Sequence, residues 1–175
     1  WNGFEVRKAE SAKRGLCRGH GIANYIEVTS GIPRERAEIT ITDDGYVELV
    51  VGTMSSGQGH ETSFPQLICE WLEIPFNKIR FVANDTNRVS VGGGSHSGRS
   101  MRLVSIAAGE AVEELLENGK RVAAHALQTP LEEIKYAEGA FQSPGGASLD
   151  LWAAAKTSKS EPGLPKLKGI GDIVN

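Results

Sequence analysis

The sequence is poor in the residues and patterns that define several classes of protein. It contains only 2 cysteines among 175 residues, Cys17 and Cys69, which lie far apart and outside any Cys-x-x-Cys spacing. This excludes an iron–sulfur or zinc site built from the cysteines of this chain alone. No run approaches the roughly 18 apolar residues that cross a bilayer. We therefore expect no membrane span, and we expect a cytoplasmic protein whose thiols are reduced.

The chain also lacks clustered positive charge. Its 19 Lys and Arg residues are scattered among 22 Asp and Glu residues, which gives a formal net charge of −3. Surfaces that bind nucleic acid or anionic membranes favour clustered basic residues. We therefore expect neither of these partners, and we expect a small molecule or another protein instead.

Glycine, in contrast, is abundant, with 21 residues. Residues 52–62 read GTMSSGQGHET and residues 91–101 read VGGGSHSGRSM, each between a strand pattern and a helix pattern. Such loops lay backbone N–H groups around an anion at the positive end of the following helix. Arg99 adds a guanidinium suited to phosphate, and the Gln58 amide both donates and accepts, which suits the edge of a heterocycle.

Strand patterns occupy the first half of the chain. Apolar and polar residues alternate over 21–30, 36–42 and 46–52, and the Asp-Asp-Gly sequence at 43–45 is typical of a hairpin turn. These ranges predict a three-stranded antiparallel meander. A further strand is predicted within 77–85.

Helical patterns follow both glycine-rich stretches. The first helix is predicted from apolar residues at i, i+3, i+4, i+7 and i+8, namely Phe64, Leu67, Ile68, Trp71 and Leu72. The longest pattern runs from about residue 101 to 127. A hairpin around Glu138 and Gly139 comes next, and then a short helix that Ser148 caps. The predicted class is α+β in two layers, with helices packed on one side of antiparallel or mixed sheets.

We predict a single truncated lobe over residues 1–175 that belongs to a longer protein. Its predicted parts are an N-terminal helix tail at 1–15, strands, glycine-rich loops and helices at 16–127, a hairpin and short helix at 128–160, and a loop leading into a missing part at 161–175.

Several other functions match the glycine-rich stretches less well. Neither stretch carries the Gly-Lys-Ser/Thr of a P-loop or the spacing of a dinucleotide fingerprint. His60 and His96 have no further ligand at metal-binding spacing, and no Gly-x-Ser-x-Gly sequence marks a serine nucleophile. A stand-alone phosphate- or nucleotide-binding module without redox activity remains an alternative.

The two motifs, in this order and pairing, resemble the molybdopterin-binding region of molybdenum hydroxylase large subunits. This family includes xanthine dehydrogenase, aldehyde oxidase and aerobic carbon monoxide dehydrogenase, and the bacterial carbon monoxide dehydrogenase-like branch is most similar. The resemblance covers nearly the whole chain, including RGHGIANYIEVTSG before the first motif. It implies a molybdenum ion held by a pyranopterin, in the cytosine dinucleotide form. The cofactor-binding residues that it implies are Gln58, Gly59, His60, Ser95, His96, Ser97, Arg99 and Ser100.

The resemblance also implies partners and limits. Iron–sulfur clusters and FAD are expected on small and medium partner subunits, and further lobes of the large subunit are expected to complete the cofactor site around a small-molecule substrate. The family's catalytic glutamate follows a glycine near the carboxyl end, and no residue here matches it, so Asp172 in KGIGD is not assigned as the base. We therefore expect no catalytic residue and no activity in the isolated segment. Apolar surface left by missing lobes favours a homodimer.

Overall fold

The computed structural model describes residues 1–27 and 31–174 of the chain. The helices in these residues are α1 (Phe4–Lys13), α2 (His60–Leu72), α3 (Arg99–Leu127) and α4 (Leu151–Ser160). The strands are β1 (Arg34–Ile41), β2 (Val47–Val51), β3 (Ile79–Val82), β4 (Lys135–Ala137), β5 (Ala140–Gln142), β6 (Ser148–Asp150) and β7 (Lys168–Val174). The predicted α+β class is confirmed.

A mixed four-stranded sheet forms one layer, in the order β3-β2-β1-β7. Strands β1 and β2 form the predicted antiparallel hairpin, with Ile41 opposite Val47, and β3 runs parallel to β2. The alternating apolar residues of β1 face the helices, so that Ala37 and Ile39 are fully buried. Burial of this apolar face against α3 is the main stabilising contribution of the layer.

The second layer is built around the long helix α3. Its first half packs on β1 and β7, and its second half packs on the small antiparallel sheet β4-β5-β6 and on α4. The predicted hairpin at Glu138 and Gly139 joins β4 to β5, with both residues at positive φ. Within residues 1–27 and 31–174, no helix combines the length and the apolar character required to span a bilayer.

Two strand predictions are wrong. Residues 21–27 form no strand, and Tyr25 and Ile26 are almost fully exposed, while the rest of that predicted strand, 28–30, lies outside the described residues. The place beside β1 is taken instead by β7, within the predicted loop 161–175. A Cβ on Gly171 would lie 1.9 Å from the Ala107 carbonyl oxygen of α3. Glycine therefore permits the close packing, and it also removes the apolar alternation that would have indicated a strand.

Two helix starts also differ from the sequence predictions. Ser148 belongs to strand β6, and the side chain that caps α4 is Asp150, whose Oδ1 accepts from the Ala153 N–H at 2.7 Å. Asp is a favoured N-cap residue because its carboxylate accepts a free backbone N–H of the first turn. Helix α3 begins at Arg99, two residues before the predicted start.

Candidate functional site

The two glycine-rich loops lie at one edge of the mixed sheet. Residues 52–59 connect β2 to α2, and residues 83–98 connect β3 to α3. Because β2 and β3 are parallel neighbours, their carboxyl ends lie at the same edge. Ligands of open α/β sheets bind in the crevice at this edge, so the topology places both loops where a binding site is expected.

The two loops touch backbone to backbone at Gly52 and Gly92. A Cβ added to Gly52 would lie 2.3 Å from the Gly92 Cα, and one added to Gly92 would lie 2.4 Å from the Gly52 Cα. Any larger residue would separate the loops, because real Cβ atoms do not approach other atoms this closely. The glycines therefore hold the two loops together.

Three hydroxyl groups reinforce this contact beside the glycines. Thr53 Oγ1 lies 2.7 Å from both Ser95 Oγ and Ser100 Oγ, and the two serine oxygens are 3.1 Å apart. Ser95 Oγ also donates to the Met54 carbonyl. Thr53 is almost fully buried, so its hydroxyl depends on these partners. The cluster of Thr53, Ser95 and Ser100 links the first loop to the second.

A cleft of about 310 Å³ opens between the loops on the surface. Its lining residues come from both loops and from the first turns of α2 and α3, namely Gln58, His60, Ser95, His96, Ser97, Gly98, Ser100 and Met101. The lining side chains carry hydroxyl, imidazole and amide groups beside the apolar surface of Met101 and the ring carbons. This chemistry suits a polar or anionic ligand.

Both helices present their amino ends to this cleft. Helix α2 starts after Gly59 and α3 after Gly98, and among the described residues no side chain caps either helix. The Arg99 N–H already donates to the His96 carbonyl at 3.0 Å, and the Thr62 N–H to the Gly59 carbonyl at 3.0 Å. The positive ends of the two dipoles and the remaining first-turn N–H groups favour an anion. The pKa of the exposed Glu61 carboxyl is lowered, first by its own backbone N–H, which is consistent with a positive helix end at this point.

His60 is the buried polar side chain at this cleft. Only 5% of its surface is exposed, and its ring packs on Phe64 with 4.8 Å between the centroids. Its Nδ1 is buried and has no hydrogen-bond partner among the described residues. Burial lowers the pKa of the imidazole, while Glu61 and the Met54 carbonyl act in the opposite direction. Burial therefore favours the neutral imidazole at this edge of the cleft.

The loops rest on a fully buried ion pair between Arg99 and Glu35. Arg99 Nη1 donates to Glu35 Oε2 at 2.8 Å, and both side chains are 0% exposed. The other Arg99 bonds go to backbone carbonyl groups of Ile32, Arg34 and Gly94, at 2.7 to 2.8 Å. These four bonds use Nε, Nη1 and Nη2 of the guanidinium.

The chain matches the sequence model of the molybdopterin cofactor-binding domain family over residues 1–168. It belongs to this family. The carbon monoxide dehydrogenase large chain of Afipia carboxidovorans is 30% identical to it over 152 residues, which are 79% of this chain and 19% of that protein. Subunit gamma of the 6-hydroxypseudooxynicotine dehydrogenase complex of Paenarthrobacter nicotinovorans is 30% identical over 140 residues, which are 74% of this chain and 18% of that protein.

A solved structure of a molybdenum enzyme has a similar fold. A crystal structure of Cu,Mo-CO dehydrogenase in its carbon monoxide reduced state superposes with a TM-score of 0.76 at 26% identity, and the match covers 98% of this chain and 25% of that chain. The chain spans about a fifth of the length of the curated relatives that it matches.

The structure brings together most of the site residues that the sequence predicts for this molybdopterin-family chain. Six of the eight line the cleft, namely Gln58, His60, Ser95, His96, Ser97 and Ser100. Gly59 precedes α2 at positive φ, next to them. Arg99 is different, because its guanidinium is fully buried, does not line the cleft and is bonded to Glu35 and to backbone carbonyl groups. Its expected contact with a phosphate has no support in this geometry.

The cleft side chains are held to different degrees. Gln58 is exposed; its Oε1 accepts from the Ser56 N–H, and its Nε2 donates to the Met54 carbonyl at 3.5 Å. Ser97 Oγ donates to Glu27 Oε1 at 2.9 Å. The weak Nε2 bond leaves the Gln58 amide able to exchange partners, whereas Ser95 and Ser100 are fixed in the hydroxyl cluster.

Sequence reasoning missed two residues of this site in the molybdopterin-family fold, Glu35 and Thr53. Glu35 precedes the predicted strand 36–42 by one residue, in register with its buried positions Ala37 and Ile39. A carboxylate on the apolar face of a strand is unusual, and this was the signal available in the sequence. Thr53 resembles the other hydroxyl residues of its loop, and nothing in the sequence distinguishes it.

Proposed function

We propose that this chain holds the molybdopterin cofactor in a molybdenum hydroxylase large subunit, at the cleft between residues 52–60 and 95–101. The observation that carries the proposal is the cleft itself. Two loops from separate parts of the sequence meet at the carboxyl ends of parallel strands, and two uncapped helices begin there. Membership of the molybdopterin cofactor-binding family supports this choice of ligand.

The residues of the cleft suit the polar part of such a cofactor. The pterin and its phosphate groups offer ring-edge donors and acceptors and a negative charge. The helix amino ends would hold the phosphate, with the Ser97 hydroxyl exchanging its Glu27 partner for it, while His60 would lie beside it and the Gln58 amide would meet a ring edge. When bound, the molybdenum cofactor supplies the redox chemistry, and this chain binds and orients it.

The metal in this proposal is held by the cofactor and not by side chains. Within residues 1–27 and 31–174, no three His, Cys, Asp or Glu side chains lie close enough together to hold a metal ion. Asp172, which the sequence analysis did not assign as a base, lies on β7 and pairs with Arg34 at 2.7 Å. The hydrogen bond from Arg34 lowers the pKa of its carboxyl. No residue of this chain is proposed as the catalytic base.

The remaining parts of the enzyme are proposed by analogy with the relatives. We propose the cytosine dinucleotide form of the cofactor, a medium subunit with FAD, a small subunit with iron–sulfur clusters, and a cytoplasmic location. The other lobes of the large subunit would close the cleft and bind the small-molecule substrate. The isolated segment would bind the cofactor weakly, because fewer contacts meet the cost of association, and its exposed apolar residues would favour dimers.

The test is a cofactor analysis of the complete protein, produced together with its neighbouring subunits. Molybdenum is measured per chain, and oxidised pterin and cytidine monophosphate are measured after acid release. We expect near-equal amounts of all three in the unsubstituted protein, and at least a ten-fold loss in Gln58→Ala. Gln66→Ala, which removes an exposed glutamine from α2, is the matched control and should retain the full load.

Two outcomes would contradict the proposal. A protein that lacks molybdenum and pterin but retains a nucleotide would be the alternative phosphate- or nucleotide-binding module, whose chemistry the helix amino ends alone supply. Equal cofactor loads in Gln58→Ala and Gln66→Ala, with normal molybdenum in both, would mean that the cofactor binds elsewhere.

A further inference from the structure

Glu35 occupies an unusual position at the start of β1. The alternation of the strand directs residues 35, 37, 39 and 41 to the buried face, so that the carboxylate of Glu35 lies under the two glycine-rich loops, fully buried. A buried carboxylate is costly unless its charge and its acceptor sites are all satisfied. Its partners therefore explain why this position retains a charge.

The two oxygens of Glu35 bind different loops. Oε1 accepts from the backbone N–H of Gly52, the first residue of the first loop, at 3.1 Å, and also from the Arg36 N–H at 3.2 Å. Oε2 accepts from Arg99 Nη1 at 2.8 Å, and the same Nη1 donates to the Gly94 carbonyl of the second loop at 2.7 Å. One carboxylate thus connects the start of the first loop to the guanidinium that holds the second.

This connection comes on top of the contact between Gly52 and Gly92. The two glycines can pack only while the loops keep one relative position. Close packing is not directional, so this contact alone does not hold the loops in that position. Charge-assisted hydrogen bonds are shorter and stronger than neutral ones, and a fully satisfied buried network rigidifies its surroundings. Glu35 supplies these directed bonds between the start of the first loop, at Gly52, and the end of the second, at Gly94 and Arg99.

We propose that Glu35 is a positioning residue that couples the two glycine-rich loops into one cradle. It does not touch the ligand, because it is fully buried behind Gly52 and Arg99, and it acts only through them. Its effect on cofactor affinity rests on the proposed function, whereas the coupling of the loops is a property of the chain itself. The two parts are therefore measured separately.

Glu35→Gln is the informative substitution because it preserves size. The present carboxylate accepts N–H groups at both oxygens, from Gly52 and Arg36 on one side and from Arg99 on the other. A carboxamide has a single oxygen, so in either orientation its NH₂ group faces another donor. The connection to one loop must therefore break, while the side-chain volume is unchanged.

The primary measurement is hydrogen–deuterium exchange in the complete protein, freed of cofactor. We expect Glu35→Gln to accelerate exchange at least ten-fold in peptides from both 52–60 and 92–98. Glu38→Gln makes the same change on the outer face of the same strand, where Glu38 pairs with Arg36 at 2.6 Å, and should leave both loops unchanged. Val122→Ala, a buried change in the second half of α3, controls for lost stability. Acceleration in one loop only, or equal acceleration in Val122→Ala, would overturn the proposal.

Arg99→Lys provides a second test if Glu35→Gln fails to fold. Lysine keeps the positive charge beside Glu35 but loses the planar fork that reaches several carbonyl groups. Arg99 makes no hydrogen bond to residues 52–60, and its bonded connection to Gly52 runs through Glu35, so we expect Arg99→Lys to accelerate exchange in both loops. Acceleration confined to 92–98 would show that the loops are independent.

The secondary measurement is the molybdenum and pterin content of the loaded protein. We expect Glu35→Gln to lose at least ten-fold more cofactor than Val122→Ala when the two have the same melting temperature. If the unsubstituted protein holds no molybdopterin, the proposed function fails while the exchange experiment still decides the coupling. If cofactor is present and equally retained by both variants, Glu35 has only a structural role.

Discussion

The two ends of α3 bury their residues in different ways. In the first turn, Arg99 and Ser100 are buried with an ion pair and a cluster of hydroxyl groups around them. In the second half, Gly119 and Val122 are buried against apolar groups, and the Phe141 ring packs directly on the glycine. Helix α3 therefore packs against buried polar groups at the cleft and against the apolar core in its second half.

The two kinds of burial should respond differently to substitution. Apolar packing is non-directional, and a change in one side chain is partly absorbed by its neighbours. A buried polar network has no such tolerance, because each donor or acceptor left without a partner carries its full desolvation cost. Substitutions at the polar end should therefore affect both stability and binding, and those at the apolar end stability alone.

The largest effect is expected from Glu35→Ala at the polar end. It leaves the buried Arg99 guanidinium without its counter-ion, and removing one partner of a buried pair lowers the free energy of unfolding by about 3–5 kcal/mol. Glu38→Ala is the control, and loss of its partly exposed pair should cost at most about 1 kcal/mol. Urea unfolding of the complete protein measures both. Equal costs would mean that the buried pair with Arg99 does not stabilise the polar end of α3 more than an exposed pair does.

A smaller effect is expected from Gly119→Ala at the apolar end. The added Cβ would lie 2.0 Å from the Phe141 Cζ, and overpacking of this kind costs about 1–3 kcal/mol. Phe141→Leu in the same chain should restore part of the loss, and the cofactor content should not change. A loss of cofactor without a loss of stability would contradict the assignment of this end to the core.

Gly109→Ala is the matched control for that substitution. Gly109 lies on the same helix, and the nearest atom to its added Cβ, Trp71 Cη2, is 3.9 Å away. Alanine is favoured over glycine in helices, so stability should rise by about 0.4–1 kcal/mol. The opposite signs of the two changes would show that packing against Phe141, and not helix propensity, sets the cost at Gly119.

Local sequence patterns predict much of the fold around α3. The apolar face of α2 and the long helix α3 follow from helical periodicity, and the hairpin at Glu138 follows from turn chemistry. The glycine loops and six cleft residues follow from composition and from family resemblance. These signals are local in the sequence, which is why they can be read from it.

The features that escaped prediction depend on contacts between distant residues. Strand β7 pairs with β1 across more than a hundred residues, and its buried face carries glycine in place of the apolar side chains that indicate a strand. The contact of Gly52 with Gly92 and the ion pair of Arg99 with Glu35 are of the same kind. The guanidinium of Arg99 looked like a phosphate ligand because nothing in the sequence placed a carboxylate beside it.

Thr53→Val removes a single hydroxyl group at the polar end of α3. Valine has nearly the same shape, so only the hydroxyl that bonds Ser95 and Ser100 is lost, and these serines still bond each other. We expect a loss of about 1 kcal/mol in unfolding free energy and a measurable loss of cofactor. Thr157→Val on α4, where the hydroxyl donates only to the Ala153 carbonyl, is the control and should retain all cofactor. Equal cofactor loads would limit the polar end to a structural role.

The smallest expected effect is the pH dependence contributed by His60. Burial lowers the pKa of its imidazole in the folded protein. As the pH falls below the ordinary pKa of about 6.5, His60 therefore becomes protonated in the unfolded chain before it does so in the folded protein. The stability that depends on neutral His60 is therefore complete above that pH and is lost as the pH falls through the folded pKa. His60→Gln should reduce this loss in urea unfolding measured from pH 7.5 to pH 5, and the same change at His125, exposed at the far end of α3, is the control.

An anion in the cleft should oppose this loss, because negative charge beside the imidazole favours its protonated form. Inorganic pyrophosphate should therefore stabilise the protein more strongly at pH 5.5 than at pH 7.5, and His60→Gln should weaken that difference. The same pH dependence in His60→Gln and in the unsubstituted protein would mean that the anion does not reach His60, because the anion's own titration is common to both. In that case the uncapped helix ends alone, without the buried imidazole, would account for anion binding at the polar end of α3.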